Sequence, residues 1–379
     1  MNDPRADETL TLLRDTLRRF VEREVVPKAA AWEEQGFVPR EVLRAMGRLG
    51  FLGLRYAEEY GGGALDARAT ALLADELGRS TFGGFAITVL VHTDMASPHL
   101  VNAGNARQIR KYLPKIVSGE AITAVAVTEP DAGSDVKAIR ATARRDGGDW
   151  VLKGTKMFIT NGALADLYFV AAKTDPAAGA KGVSMFIVEK GTPGFSVGRK
   201  LDKMGWRCSD TAELVFDGCR VPAENLLGEE NQGFYAIMKN FQNERLAIAS
   251  MAMGEAARAI ELTLEYVRTR KAFGAPLWDK QAIRQRLSML AARVEAGRQL
   301  VRHAAELDAE GRDCVKEVSM AKAYCAELLN DVVYDCLQFH GGFGFIRESA
   351  IERMYRDARV QTIGGGATEV MLEEVAKRL

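Results

Sequence analysis

Five short segments carry residue types that can do chemistry. The run Val127-Thr128-Glu129-Pro130-Asp131-Ala132-Gly133-Ser134-Asp135 closes a hydrophobic stretch with hydroxyls, acids and small residues. Its hydroxyls and exposed backbone N–H groups can hold a phosphate or the edge of a flavin ring. A strand followed by a tight Asp/Gly/Ser turn is the simpler reading of the same residues. In Phe158-Ile159-Thr160-Asn161-Gly162, an aromatic and a hydroxyl two residues apart on a strand share a face. One can stack on a ring while the other donates a hydrogen bond; a strand end before an Asn-Gly turn explains them too. Arg270-Lys271-Ala272-Phe273-Gly274, with Gln281 beyond it, falls where a long helix ends. An arginine there complements the helix C-terminus and can equally bind a pyrophosphate. Gln338-Phe339-His340-Gly341-Gly342-Phe343-Gly344-Phe345 is glycine-rich but follows a helix, so it is not a dinucleotide fingerprint. Ile363-Gly364-Gly365-Gly366-Ala367-Thr368-Glu369 permits close backbone approach to a ligand, or is simply a flexible lead into a final helix.

These segments sit in a chain of 379 residues, more than one hydrophobic core usually organises, so two or three units are expected. Lys+Arg and Asp+Glu both number 51, which favours neither a nucleic-acid surface nor an anionic membrane. No apolar run approaches the roughly 18 residues of a membrane span. The acidic opening Met1-Asn2-Asp3-Pro4-Arg5-Ala6-Asp7-Glu8 has no apolar signal core, and a cytoplasmic protein is expected, although a processed organellar protein would look the same. Cys208, Cys219, Cys314, Cys325 and Cys336 form no C-x-x-C pair and read as buried thiols. His92, His99, His303 and His340 lack metal-ligand spacing, so no metal site is expected.

Periodicity divides the chain in three. Residues 1–119 carry helical spacing, as in Leu10, Leu13, Leu17 and Phe20. Residues 120–230 alternate as strands separated by Gly147-Gly148, Asn161-Gly162 and Pro193-Gly194 turns, which suggests a small antiparallel sheet. Residues 231–379 return to long helical patterns, about 235–270, 280–310 and 314–338, with the short connections of an antiparallel bundle. The expected class is α+β, mainly α.

In this order and spacing the five segments, together with Tyr60-Gly61-Gly62-Gly63, resemble the acyl-CoA dehydrogenase family over nearly the whole chain. The resemblance implies an N-terminal helical domain, a middle β domain and a C-terminal four-helix bundle. It also implies bound FAD, an acyl-CoA substrate, an electron-transfer flavoprotein as acceptor, and assembly as a tetramer or dimer. Carried over, Val127 and Thr128 would contact the flavin, Phe158 would cover it and Thr160 would bond near N5. Ser134 would lie near the pyrophosphate and the CoA. Arg270, Phe273, Gln281, Gln338 and Gly342 would reach the FAD of a neighbouring subunit, and Thr368 and Glu369 would lie on the cofactor side of the last loop.

The family's chemistry needs a carboxylate to take the α-proton while the β-hydrogen leaves as hydride. Many members place that Glu in the last glycine loop, where this chain has Gly364, Gly365, Gly366 and Ala367. Gly365 cannot be a base. Phe241-Gln242-Asn243-Glu244-Arg245-Leu246 matches the alternative position used by the long-chain and isovaleryl branches, so the expected base is Glu244, with Phe241, Arg245 and Gly364 beside the substrate. As an isolated residue Glu244 would read as a solvated helix charge. The Gly365 N–H can still serve as an oxyanion donor. Ala367 replaces the usual Thr, and Gly364 replaces a Tyr, which leaves room for a branched or bulky acyl chain, with long straight chains also open. An oxidase on the same scaffold and a non-catalytic acyl-CoA- or FAD-binding paralogue are the alternatives.

Overall fold

The computed structural model describes residues 4–379, with side chains from Glu8 onward; the acidic opening Met1-Asn2-Asp3 lies outside the described residues. The chain begins with seven helices, α1 (Pro4–Phe20), α2 (Ala29–Gln35), α3 (Arg40–Arg48), α4 (Ala67–Gly78), α5 (Gly83–Leu90), α6 (Ser97–Ala103) and α7 (Ala106–Val117). Their ends follow local chemistry. Gly36, at φ 77°, closes α2 by donating to Trp32 O. Asp66 caps α4 by accepting from Arg68 N, and Asn105 with Gln108 forms a capping box on α7. One π-helical turn, Val91–Ala96, joins α5 to α6 and is buried throughout. Nothing in the apolar spacing announces it.

Eight strands follow: β1 (Thr123–Ala126), β2 (Thr142–Asp146), β3 (Asp149–Thr160), β4 (Leu167–Lys173), β5 (Val183–Glu189), β6 (Phe195–Lys200), β7 (Thr211–Pro222) and β8 (Leu226–Leu227). They form one sheet in the order β6-β7-β3-β2-β4-β5-β8, with β1 beside β4. Most pairings are antiparallel as expected, but β1 and β2 each run parallel to β4. The β2–β3 hairpin intervenes between β1 and β4, so the chain returns in its original direction.

The last third comprises α8 (Gly233–Thr269), a hairpin of β9 (Lys271–Ala272) and β10 (Ala275–Pro276), α9 (Gln281–Ala309), α10 (Val315–His340), α11 (Ala350–Ala358) and α12 (Thr368–Ala376). Three long helices make the body of this bundle, and α12 closes it against α10. All five cysteines are buried and unpaired. Burial pushes the thiols of Cys219 and Cys314 up to about 11 and that of Cys336 to about 12, which removes thiolate reactivity.

α8 also packs against α4, and two glycines make the crossing possible. A Cβ on Gly254 would lie 1.9 Å from Asp75 O, and one on Gly78 would lie 2.4 Å from Met251 O. Both contacts are with backbone, which cannot rotate away. Gly254→Ala should therefore overpack the crossing by about 1–3 kcal/mol and lower the thermal midpoint by several degrees. An unchanged midpoint in a thermal melt would show that the two helices do not cross this closely.

Candidate active site

Two groups of residues, one on the sheet and one on α8, meet at the helical run 83–96. On the sheet, Val127–Glu129 leaves β1 and is fastened to β3. Met157 N donates to Thr128 O at 2.9 Å, and Lys156 Nζ donates to Val127 O at 2.9 Å and to Glu129 Oε1 at 2.8 Å. Glu129 also accepts from Arg140 N and Ala141 N. Lys156 is wholly buried, and burial pulls its ammonium down to about 8 against the attraction of Glu129.

Directly after Lys156 the pairing of β3 with β7 slips, and Phe158 takes φ 60°. A bulky residue in the left-handed region is strained. The bulge turns the Phe158 ring outward, 64% exposed, while Ile159 points into the core. The hydroxyls of Thr128 and Thr160 have no hydrogen-bond partner among the described residues. A bare aromatic face beside two unengaged hydroxyls suits a flat heteroaromatic ring, so these residues fit a flavin. Ser134 is exposed in the loop that follows.

On α8, Glu244 is 8% exposed. Its closest partner is Asn240, one turn earlier, whose Nδ2 lies 3.5 Å from Glu244 Oε1 and donates to Met95 O at 2.8 Å. Among the described residues no cation touches the carboxyl. Burial pushes it up to about 8, with Arg245 and Asn240 opposing only in part. Arg245 turns aside: it sits over the Phe241 ring and approaches Ser319 Oγ at 3.4 Å.

The run 83–96 links these groups. Asn161, at the end of the Phe158 segment, donates to Thr88 O at 3.0 Å, and Asn240 donates to Met95 O. Thr88 and Met95 are two helical turns apart, or about 10 Å. The sheet face and Glu244 are thus anchored to one short rod.

The glycine loop lies over α8. A Cβ on Gly365, whose φ is +62°, would meet Ile248 Cδ1 at 2.2 Å, and Ile248 is one turn beyond Glu244. Gly364 has no such constraint, its nearest neighbour being Val360 O at 3.6 Å. The Gly365 N–H has no acceptor among the described residues. Thr368 Oγ1 is engaged by Glu327 at 2.8 Å, and Glu369 is exposed on α12.

The remaining residues are elsewhere. Arg270, Phe273, Gln281, Gln338 and Gly342 are exposed and share one end of the bundle. Tyr266, stacked on His340 and Phe343, holds the end of α8 against the end of α10. Phe273, 95% exposed, forms the β9–β10 turn with Gly274. Along the axis of α8, Arg270 is about 39 Å from Glu244. These five residues do not join the site that contains Glu244.

Three domain descriptions match the chain in sequence: acyl-CoA dehydrogenase N-terminal domain over residues 7–120, middle domain over 124–219 and C-terminal domain over 231–379. The chain belongs to the acyl-CoA dehydrogenase family. It is 42% identical over 370 residues to the long-chain specific acyl-CoA dehydrogenase of Mus musculus mitochondria, covering 97% of this chain and 86% of that one. Its structure superposes with a TM-score of 0.94 on an acyl-CoA dehydrogenase from Geobacillus kaustophilus, 41% identical with 98% of each chain covered. It superposes equally, at 0.94, on an FAD complex of PigA that is 29% identical, covering 98% of this chain and 97% of that one.

Within this acyl-CoA dehydrogenase scaffold, sequence reasoning missed Lys156 and Asn240. The signal for each was present. Lys156 falls in phase with the inward-facing Leu152 on β3, and Asn240 is one helical turn from Glu244. Lys156→Met should cost about 3–5 kcal/mol by leaving Glu129 buried alone, and the double variant Lys156→Met/Glu129→Gln should recover part of that loss. Thermal melts decide: a single variant no less stable than the double would contradict the buried pair.

Proposed function

We propose that this chain binds FAD and dehydrogenates an acyl-CoA between its α and β carbons, with Glu244 as the base. The observation that carries the reading is the Glu244 carboxyl, buried without a cation in contact and raised to about 8. A general base is most effective when its pKa lies near the working pH, and desolvation tunes a carboxyl there. When bound, FAD supplies the acceptor for the β-hydride at N5.

The chain's own residues do the rest. Glu244 takes the α-proton on one of its carboxylate oxygens. The unengaged Gly365 N–H donates to the thioester carbonyl oxygen, where negative charge develops. Thr128 and Thr160 would donate to the flavin edge, Phe158 would cover the ring, and the backbone of Val127, tied down by Lys156, would border it. Ser134, Phe241 and Arg245 border the thioester and CoA side. The missing side chain at Gly364 supports a branched, bulky or long acyl group, in keeping with the long-chain name of the mouse relative.

The distant set at the end of the bundle, Arg270, Phe273, Gln281, Gln338 and Gly342, is too far along α8 to reach the same flavin. We assign it to the FAD of a neighbouring copy, which makes the protein a homo-oligomer, a tetramer or a dimer. Electron-transfer flavoprotein is the acceptor we assign from the family.

Glu244→Gln should retain FAD and its visible absorbance. Its anaerobic bleaching by acyl-CoA should slow by about a thousandfold or more, the loss expected when a general base is removed. Stopped-flow mixing measures this directly. Bleaching within a few-fold of wild type would assign the base elsewhere.

A further inference from the structure

The α-proton taken by Glu244 has to leave before the next turnover. The surroundings of Glu244 are dry: it is 8% exposed and, among the described residues, touches no charged group. Asn240, on the same side of α8, borders something different. Its amide reaches Glu244 Oε1 at 3.5 Å, and it also lines a cavity of about 240 Å³.

One side of that cavity carries a connected run of polar groups. Asp94 takes hydrogen bonds from Thr93 Oγ1 at 2.5 Å and Thr70 Oγ1 at 2.8 Å. Asn243 Nδ2 donates to Asp94 O at 2.6 Å, and Arg55 Nη1 donates to Asn243 Oδ1 at 2.6 Å. Arg55 Nη2 continues to Asp308 Oδ2 at 2.9 Å. The exposed residues Lys239 and Asn102 line the outer rim. A void left by imperfect core packing is apolar and stays dry. Here Leu52, Leu54, Leu73, Pro98 and Val101 share the wall with carboxylates, amides and hydroxyls; a water takes about 30 Å³, so the volume has room for several waters beside those polar groups. Asp94, whose carboxyl burial raises, serves no ion pair in contact with it.

We propose that this cavity is the exit by which the proton taken by Glu244 passes to solvent, with Asn240 as the positioning residue at its inner end. The inference rests on Glu244 being the base. After the α-carbon–hydrogen bond breaks, Glu244 carries the proton on a carboxyl oxygen. That O–H bond then breaks toward a cavity water, the water chain releases one proton to bulk, and Glu244 is left as carboxylate. No electrons move in this step. Asn240 does not carry the proton; its Nδ2–H, 3.5 Å from Glu244 Oε1, is the link between the carboxyl and the cavity wall.

The test uses the holoenzyme and an acyl-CoA that bleaches its flavin, deuterated at the α-carbon, mixed anaerobically in ordinary water. Stopped-flow absorbance reads bleaching, and mass spectrometry reads loss of deuterium from the recovered acyl-CoA. Val101→Trp fills the cavity away from Glu244, and Thr93→Val removes one wall hydroxyl at constant shape. Both should bleach within about twofold of wild type, while deuterium washout slows on the order of tenfold, about 1.4 kcal/mol. The pair guards against one variant failing to fold. Washout at the wild-type rate in the folded variants, or no washout in wild type, would overturn the proposal. If Glu244→Gln still bleaches normally, the assignment of the base fails; if it does not bleach but washout ignores both variants, only the exit route fails.

Discussion

Burying a carboxyl with neither a cation in contact nor bulk water around it costs several kcal/mol when it ionises. The neighbourhood of Glu244 accommodates that cost. Among the described residues Asn240 is the one side chain that bonds it, and Asn240 is itself held by Met95 O in the π-helical turn. Arg245, the nearest cation in sequence, is turned toward Ser319 and the Phe241 ring. Were Arg245 paired with Glu244, the carboxyl would stay ionised at low pH and be a weak base. The structure keeps the two apart across adjacent positions of one helix.

The run 83–96 has to be held firmly for this to work, because both halves of the site lean on it. At its start, Asp357 of α11 accepts from Gly83 N at 3.1 Å and from Trp206 N at 2.6 Å, so one carboxyl ties the bundle to the helices and to the sheet. At its far end, His92 bridges Thr123 of β1 and Ile116 O of α7, each at 3.0 Å. Burial keeps His92 neutral at physiological pH, near 4, so this bridge does not titrate where the enzyme works. The Lys156–Glu129 pair fixes β3 immediately before the bulge that carries the strained Phe158.

Much of this was legible in the sequence. The long helices α8, α9 and α10 repeat their apolar positions over many turns, so their extents emerge within a few residues. The strands are separated by glycine pairs and Asn-Gly, which mark turns whatever the tertiary context. The motif loops were legible as loops, and the absence of a carboxylate at Gly365 directed attention to Glu244. What was hidden depends on contacts between distant segments. The parallel placement of β1 and β2 beside β4 is a matter of topology. The outward turn of Phe158 needs a bulge set by β7, and the π-helical turn at 91–96 is set by packing between the sheet and α8. The polar cavity joins Arg55, Asp94, Asn243 and Asp308, four residues with no shared motif. Arg270 and its companions are expected, from the family resemblance, at the FAD of a neighbouring subunit; the length of α8 separates them from Glu244 within one chain.

The central claim is that a desolvated Glu244, and no ordinary carboxylate, removes the α-proton. The pH dependence of anaerobic flavin reduction at limiting acyl-CoA tests it most directly, because that profile reports the free enzyme's base. The base works as its anion, so the rate should climb about tenfold per pH unit below the ionisation and level off near pH 8, the value to which burial raises Glu244. A profile already flat from about pH 6 upward would mean a base ionised in the usual carboxylate range, and would contradict the account.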